Sequence, residues 1–507
     1  MTYTRPGIYV SEGPFTTHVV SSPSTSAAAF IGTAERGPSS PALIQSWNSY
    51  KTQFGDLDVN YEMGYALYHF FANGGRTAYV NRVTSGASTS VAAFANFAGT
   101  VATVATATLF RLSAPSIGTW GNSISAVVSA GLVSGDNPTF NLAILYNGNN
   151  VENWTELSLN ANDARYAPTV VNNYSAYVVM SNVAVTTAGT AYTATSATVA
   201  LTSGANGAAI VNADWATALA KLDGVEGQLV INLVGQSSTA IINNAIDYVT
   251  YVDADITPTA RKNSFLIVDP NPALTTAADI VTAVSAYTVS SYVAVYYGML
   301  SMTNPAVRGS AALRNTYPGG ALAGLYQRVD AERGVGRAAA GYGYTLQNTF
   351  GTVTNYTEAQ VGTLYAAHIN TLKNVNGVGV IVNGARTLKK TDVTKYIPSR
   401  RTLNFIKAQV EEIAKPALFQ PIGDRLWSSL EGNIAKMLSG LWSSGALKGR
   451  NAAEAFYVTC DATNNPPYVV EAGEVHIEVG VALATPAEFI VINVSQFTGG
   501  NTTIETL

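Results

Sequence analysis

Two stretches limit the folds open to this chain more than any others: "GQLVINLVG" (227–235) and "NSFLIVDPNP" (263–272). Each is a short continuous apolar run that ends in Gly, Pro or Asn. A strand with one wet face alternates apolar and polar residues, whereas a strand buried on both faces has no need to. Beside them, "DWATALAKLDGV" (214–225) and "AADIVTAVSAYTV" (277–289) carry helical spacing. Strands alternating with helices build a sheet with helices on both faces, so residues 206–385 read as an α/β sandwich core.

Residues 25–85 read as the N-terminal part of that core. "SAAAFIGTAERGP" gives a strand at Ala28–Ile31 that stops at Gly32. "YEMGYALYHFFANGG" (61–75) gives a helix stopped by Asn73-Gly74-Gly75, and "TAYVNRV" (77–83) a further strand. Residues 86–205 differ. Charge nearly vanishes there, and short β runs such as "SISAVVSA", "FNLAILYN" and "AYVVMSNV" alternate with Gly/Asn turns, as in an inserted, mostly-β domain. Within it, "VAAFANFAGTVATVATATLF" (91–110) is uncharged and long enough to span a bilayer. Its Ala/Thr content, with Asn96 and Gly99 inside, favours strands and a loop. Residues 386–487 read as a C-terminal α/β domain. Leu403, Ile406, Val410 and Ile413 share one helix face, and Leu426, Leu430, Ile434, Leu438 and Leu441 another, followed by the strands "EAFYVTCD" and "EVHIEVGVAL".

Both ends carry lone strands. Ile8-Tyr9-Val10 lies between Pro6-Gly7 and Gly13-Pro14 with no hairpin partner, and "EFIVINVSQF" (488–497) is its counterpart. Residues 1–24 and 488–507 therefore read as extended arms. The fold class is α+β multidomain: an α/β sandwich core, a C-terminal α/β domain, an inserted mostly-β domain and two terminal β arms. Unpaired strand edges are templates for pairing with another chain.

Composition excludes several functions. Only 12% of residues are charged and the net charge is −4, so no basic footprint for nucleic acid or an anionic membrane exists. The lone Cys460 rules out internal disulfides and Cys-based metal clusters. His18, His69, His368 and His476 are too far apart in sequence for a helical zinc pair. There is no G-x-S-x-G elbow, and "GLWSSGALKG" (440–449) has Ala446 where a phosphate-binding loop needs lysine. "GGALAG" (319–324) and "GVGVIVNG" (377–384) read as turns or close packing. "DAERGVGRAAAG" (330–341) concentrates Asp330, Glu332, Arg333 and Arg337. With no nucleophile beside them, these read as a structural ion-pair loop or a contact with another subunit rather than as a catalytic cleft near 308–341. No signal peptide, catalytic residue, metal site or cofactor is expected.

An ordered set of stretches carries a resemblance: "RPGIYVSE", "STSAAAFIGTAERGP", "FANGGRTAYVNRV", "GTWGNSISAVV", "YPGGALAGLYQRVDAERGVGRAAA", "NGVGVIVNGARTL", "PSRRTLNFIKAQVEEIAKPALFQPIGDRLWSSLEGNIAKMLSGLWSSGALKG" and "TPAEFIVINVSQF". The chain resembles the contractile tail sheath proteins of bacteriophages and related injection machines. Gly13, Gly336 and Asn383 depart from the family pattern at loop positions. The resemblance implies a non-enzymatic virion tail subunit, assembled in the host bacterial cytoplasm. Such subunits stack as hexameric rings into a helical polymer around a tail tube and contract to drive it through the host envelope. It implies arms (Ile8, Tyr9, Val10; Phe489, Ile490, Val491, Ile492, Val494) that join neighbouring subunits. It also implies tube protein, baseplate and tail terminator as partners, with no nucleic-acid contact and no membrane insertion. The helix bearing Arg425, Glu431 and Lys436 is the candidate tube-facing surface. The sheath of a headless, tailocin-like device, a non-contractile virion surface protein and an enzyme are the alternatives.

Overall fold

The computed structural model describes residues 27–488 except 86–89, 92–93, 102–103, 135–136, 182, 184–191, 195–196, 251–262 and 306–312. The proposed arm strands at Ile8-Tyr9-Val10 and at Phe489, Ile490, Val491, Ile492 and Val494 lie outside the described residues.

The apolar runs form the middle of an eight-stranded sheet. Its order is Ala42–Ile44, Ala78–Arg82, Ala27–Gly32, Leu229–Leu233, Phe265–Val268, Val293–Tyr297, Asn370–Val375, Gly379–Asn383. The inner six strands are parallel and the two outermost antiparallel. The two-residue period assigns each side chain to a face. Phe30, Val230, Phe265, Ile267 and Tyr296 pack on one face beneath helices Trp47–Phe54, Glu62–Ala72 and Gly319–Arg333. Ile31, Leu229, Ile231, Leu266 and Val295 pack on the other, beneath Asn212–Ala220, Thr239–Val249, Ala277–Ser285 and Glu358–Ala366. Each such aliphatic or aromatic side chain contributes about 1.5–3 kcal/mol through burial.

The Gly-rich stretch 319–324 opens helix Gly319–Arg333 instead of a turn. Its glycines let two helices touch backbone to backbone. A Cβ built on Gly320 would overlap the Ala66 carbonyl, and one on Gly324 the Phe70 carbonyl oxygen. The helix N-terminus is fixed to the sheet by Asp269, at the carboxyl end of Phe265–Val268. Its carboxylate accepts from the amide of Gly319 (2.8 Å), the amide of Gly235 (3.2 Å) and Asn232 Nδ2 (3.2 Å). Burial nevertheless pushes the Asp269 carboxyl up to about 6, against the pull of those donors. The folded state therefore holds this proton more tightly than the unfolded chain does. The stabilisation from protonated Asp269 is complete below pH about 4 and is lost as pH rises through about 6. Denaturant unfolding at pH 4 and pH 7 should differ at this site by about 3 kcal/mol, and Asp269→Asn should flatten the difference.

Between Arg82 and Asn212 the chain leaves the sheet and builds two four-stranded sheets of its own. Phe97, Phe110 and Phe140 stack between them, with centroids 4.8 and 5.4 Å apart, above Leu142 and Ile144. The uncharged stretch 91–110 lies here as strands Phe94–Val101 and Val104–Ser113, paired antiparallel. Among the described residues no helix is long and apolar enough to cross a membrane. The string "TAERGP" (33–38) joins this excursion to the sandwich. Tyr146 Oη donates to the Glu35 carboxylate, and Arg36 lies over the rings of Trp120, Tyr146 and Tyr177 at 5.4, 5.5 and 4.4 Å.

Candidate assembly interface

The C-terminal unit is built on two helices and a hairpin-like pair of strands. Helix Ile397–Ala414 has Pro398 in its first turn, where a missing N–H costs nothing. Helix Asp424–Ser443 begins on an acidic residue, which suits the positive end of its dipole. Trp427, Leu430, Ile434 and Leu438 form its buried face. That face covers strands Phe456–Thr459 and Glu478–Val481, paired antiparallel from Phe456↔Val481 to Thr459↔Glu478. Cys460 is buried against Trp427 and Leu430, and burial pushes its thiol up.

This small sheet has only two strands among the described residues, so each presents an outer edge to which an extended segment can add. From Val481 the chain runs back to the sandwich and is pinned at Glu488. Arg386 grips that carboxylate with two bonds, Nη2 to Oε2 at 2.6 Å and Nε to Oε1 at 3.1 Å, while its guanidinium lies 3.8 Å over the Tyr365 ring. Burial opposes the charge on Glu488, but the bonds from Arg386 and Tyr365 hold its carboxyl below the usual range.

The candidate residues separate. On helix Asp424–Ser443, Arg425 and Lys436 are eleven positions apart, hence on one face, and both are exposed. Glu431 lies on another face and is only half-exposed, its charge felt by the Cys460 thiol. Lys436 borders an apolar groove of about 540 Å³ whose walls include Ile413, Leu426 and Met437. Beyond that groove the loop between the helices leaves Phe419 fully exposed, with φ at 66°.

For Asp330 the structure shows an ion pair within the chain. The helix continues to Arg333, and Asp330 is buried inside the chain, where its Oδ1 accepts from Arg401 Nη1 at 2.9 Å and its Oδ2 is paired with Arg401 Nη2. Glu332, Arg333 and Arg337 are exposed. Arg401 also lies 4.6 Å over Tyr326. The sequence carried one signal for this pair: adjacent arginines, Arg400 and Arg401, within an otherwise amphipathic helix of a charge-poor chain. A buried guanidinium needs partners for its charge and its N–H groups, and a carboxylate supplies both. Nor do the described histidines converge on a reaction centre. His69 is buried, bonds Thr316 Oγ1 at 3.1 Å, and is pushed down to about 4 by burial; His368 bonds the Thr387 carbonyl at 3.0 Å. Among the described residues no three His, Cys, Asp or Glu side chains gather as a metal site would require.

Residues 389–497, which contain both helices and the strand pair, match the phage tail sheath C-terminal domain family. Over that stretch the chain is similar to phage tail sheath proteins. A stretch of 131 residues, 26% of the chain, is 28% identical to the tail sheath protein of Vibrio phage KVP40 and spans 19% of that protein's length. Over nearly the whole chain the fold is that of solved sheath proteins. The sheath tail protein of Listeria innocua superposes with a TM-score of 0.62 at 14% identity, covering 90% of this chain and 95% of that one. The contracted helical sheath of the anti-feeding prophage superposes with a TM-score of 0.57 at 20% identity, covering 98% of this chain and 100% of that one. These relatives are structural sheath proteins of contractile tails and injection systems.

Proposed function

We propose that this chain is the structural subunit of a contractile sheath. It polymerises as stacked hexameric rings around a tail tube and contracts to drive the tube through a host envelope. The match of residues 389–497 to the sheath C-terminal domain carries this reading. The sheet that is two-stranded among the described residues supports it, because strands from the arms of neighbouring copies can add at its edges through main-chain bonds. An interface between unlike patches propagates as a ring or an open helix. In this reading the virion tail is the site of action and the host cytoplasm the site of assembly. Tube protein, baseplate and terminator are the partners, and Arg425 and Lys436 face the tube. Similarity at 98% coverage to the sheath of the anti-feeding prophage keeps a headless injection device as the second reading.

The purified chain, or the chain expressed with its tube protein, should form tubules in negative-stain electron micrographs. Deleting residues 1–24 or 489–507 should leave folded monomers that form none. Tubules from either truncated chain would refute arm exchange, and discrete monomers of the intact chain under all conditions would refute the sheath reading.

A further inference from the structure

The charges of the C-terminal part are sorted along the sequence. Beyond Arg450 there is no further Lys or Arg, while seven acidic residues follow. Five of these, Glu454, Asp461, Glu471, Glu474 and Glu478, are exposed in the C-terminal unit, three of them within the eight residues 471–478. Glu474 has His476 beside it at 2.9 Å, and Glu478 accepts from Tyr457 Oη at 2.8 Å. No lysine or arginine of this segment neutralises them.

A complementary surface lies elsewhere on the same chain. A groove of about 630 Å³ runs between the edge of the sandwich and helix Ile397–Ala414. Lys389, Lys390, Arg400 and Lys407 line it, four of the chain's 28 basic residues, beside the hydroxyls of Ser290 and Thr391. The groove is built rather than incidental. Arg400 is buried, stacked 4.2 Å over Tyr292, and holds Asn404 Oδ1 and Ser291 Oγ at 3.1 Å each. Lys390 is exposed at the rim, and Lys389 pairs with Asp392 at a half-exposed site (2.6 Å). The acidic residues 454–478 do not line this groove in their own chain.

We propose that the basic groove of one copy receives the acidic surface around Glu471, Glu474 and Glu478 of a second copy. The proposal rests on the reading of this chain as a self-assembling subunit and identifies one of its contacts. The two patches are unlike, so the contact is head-to-tail and propagates. Charge complementarity of this kind sets register and orientation and excludes wrong pairings more than it adds raw affinity. Because the charges lie at the surface, salt weakens the contact.

Charge exchange tests it. Self-association of the full chain is followed by sedimentation velocity and electron microscopy at 50 and 500 mM salt for wild type, K389E/K390E, E471K/E474K and an equimolar mixture of the two variants. Each variant alone should need at least about tenfold more protein to associate than wild type at low salt, and the mixture should recover most of that loss. The milder K389Q/K390Q should fall between wild type and K389E/K390E, with an unchanged melting curve. Undiminished association of either reversed variant at low salt overturns the contact. So does failure of the mixture when both variants melt like wild type. If wild type associates but the variants follow these latter patterns, only this contact falls; if wild type never associates, the self-assembling reading falls with it.

Discussion

Arg401→Ala is expected to destabilise the chain by about 3–5 kcal/mol, because it strands the Asp330 carboxylate in the interior without its partner. Asp330 and Arg401 join helix Gly319–Arg333, which covers the sheet, to helix Ile397–Ala414, which begins the C-terminal unit. Losing the pair therefore loosens one body from the other as well as leaving a buried charge. Arg401→Lys should recover little, since an ammonium cannot make the two-bonded grip or lie flat over Tyr326. Replacing both partners by apolar residues, as in Asp330→Leu with Arg401→Met, should restore most of the stability, for the cost lies in the uncompensated charge. Urea unfolding of the three variants reads this out. A single alanine variant as stable as wild type would show that the pair is not buried as described.

Gly320→Val is expected to cost at least about 3 kcal/mol, and to remove most soluble protein, through overpacking at a site with no room to give. The obstruction is the Ala66 carbonyl, a backbone atom in the middle of helix Glu62–Ala72, so no rotamer change relieves it. Gly324, facing the Phe70 carbonyl oxygen, should behave alike. Gly432 provides the contrast. It lies in helix Asp424–Ser443, is exposed, and a Cβ there would meet nothing within 4 Å. Gly432→Ala should raise stability by about 0.5–1 kcal/mol, as expected for an open helical site. Thermal melts of the three variants decide the matter, and a Gly320→Val chain that melts like wild type would overturn the close helix contact.

These two cases also mark where reading the residues worked and where it failed. Strands whose whole length is apolar, such as Leu229–Leu233 and Phe265–Val268, announce themselves because burial on both faces leaves no room for polar residues. Helix Gly319–Arg333 hides because glycine is a poor helix former, and the reason for its glycines lies more than 250 residues away, in the backbone of Ala66 and Phe70. Asp330 looks like a surface charge until Arg401 is placed beside it, and a partner that distant leaves no local trace. Arg425, Glu431 and Lys436 illustrate the reverse. Helical spacing alone separates Glu431 from the other two, so that division was available from position numbers. The Arg386–Glu488 grip was not, because it joins the last described residue to a loop beside the sheet.

The excursion between Arg82 and Asn212 begins and ends at one place. Ser90 and Val91, where it departs, pair with Asn206 and Ala205, where it returns. Once Ala78–Arg82 lies in the sheet, the chain would otherwise have to close a loop of about 150 residues to bring the strand Leu229–Leu233 to its place beside Ala27–Gly32. With the two ends of the excursion joined, the loop that remains is about 30 residues, and the entropy of closure falls on the order of 1 kcal/mol. The main sheet thus folds as though the excursion were a short connection. Residues between Val91 and Ala205 are free to lengthen, shorten or change their outer surface over generations at almost no cost to the assembly of the sheet.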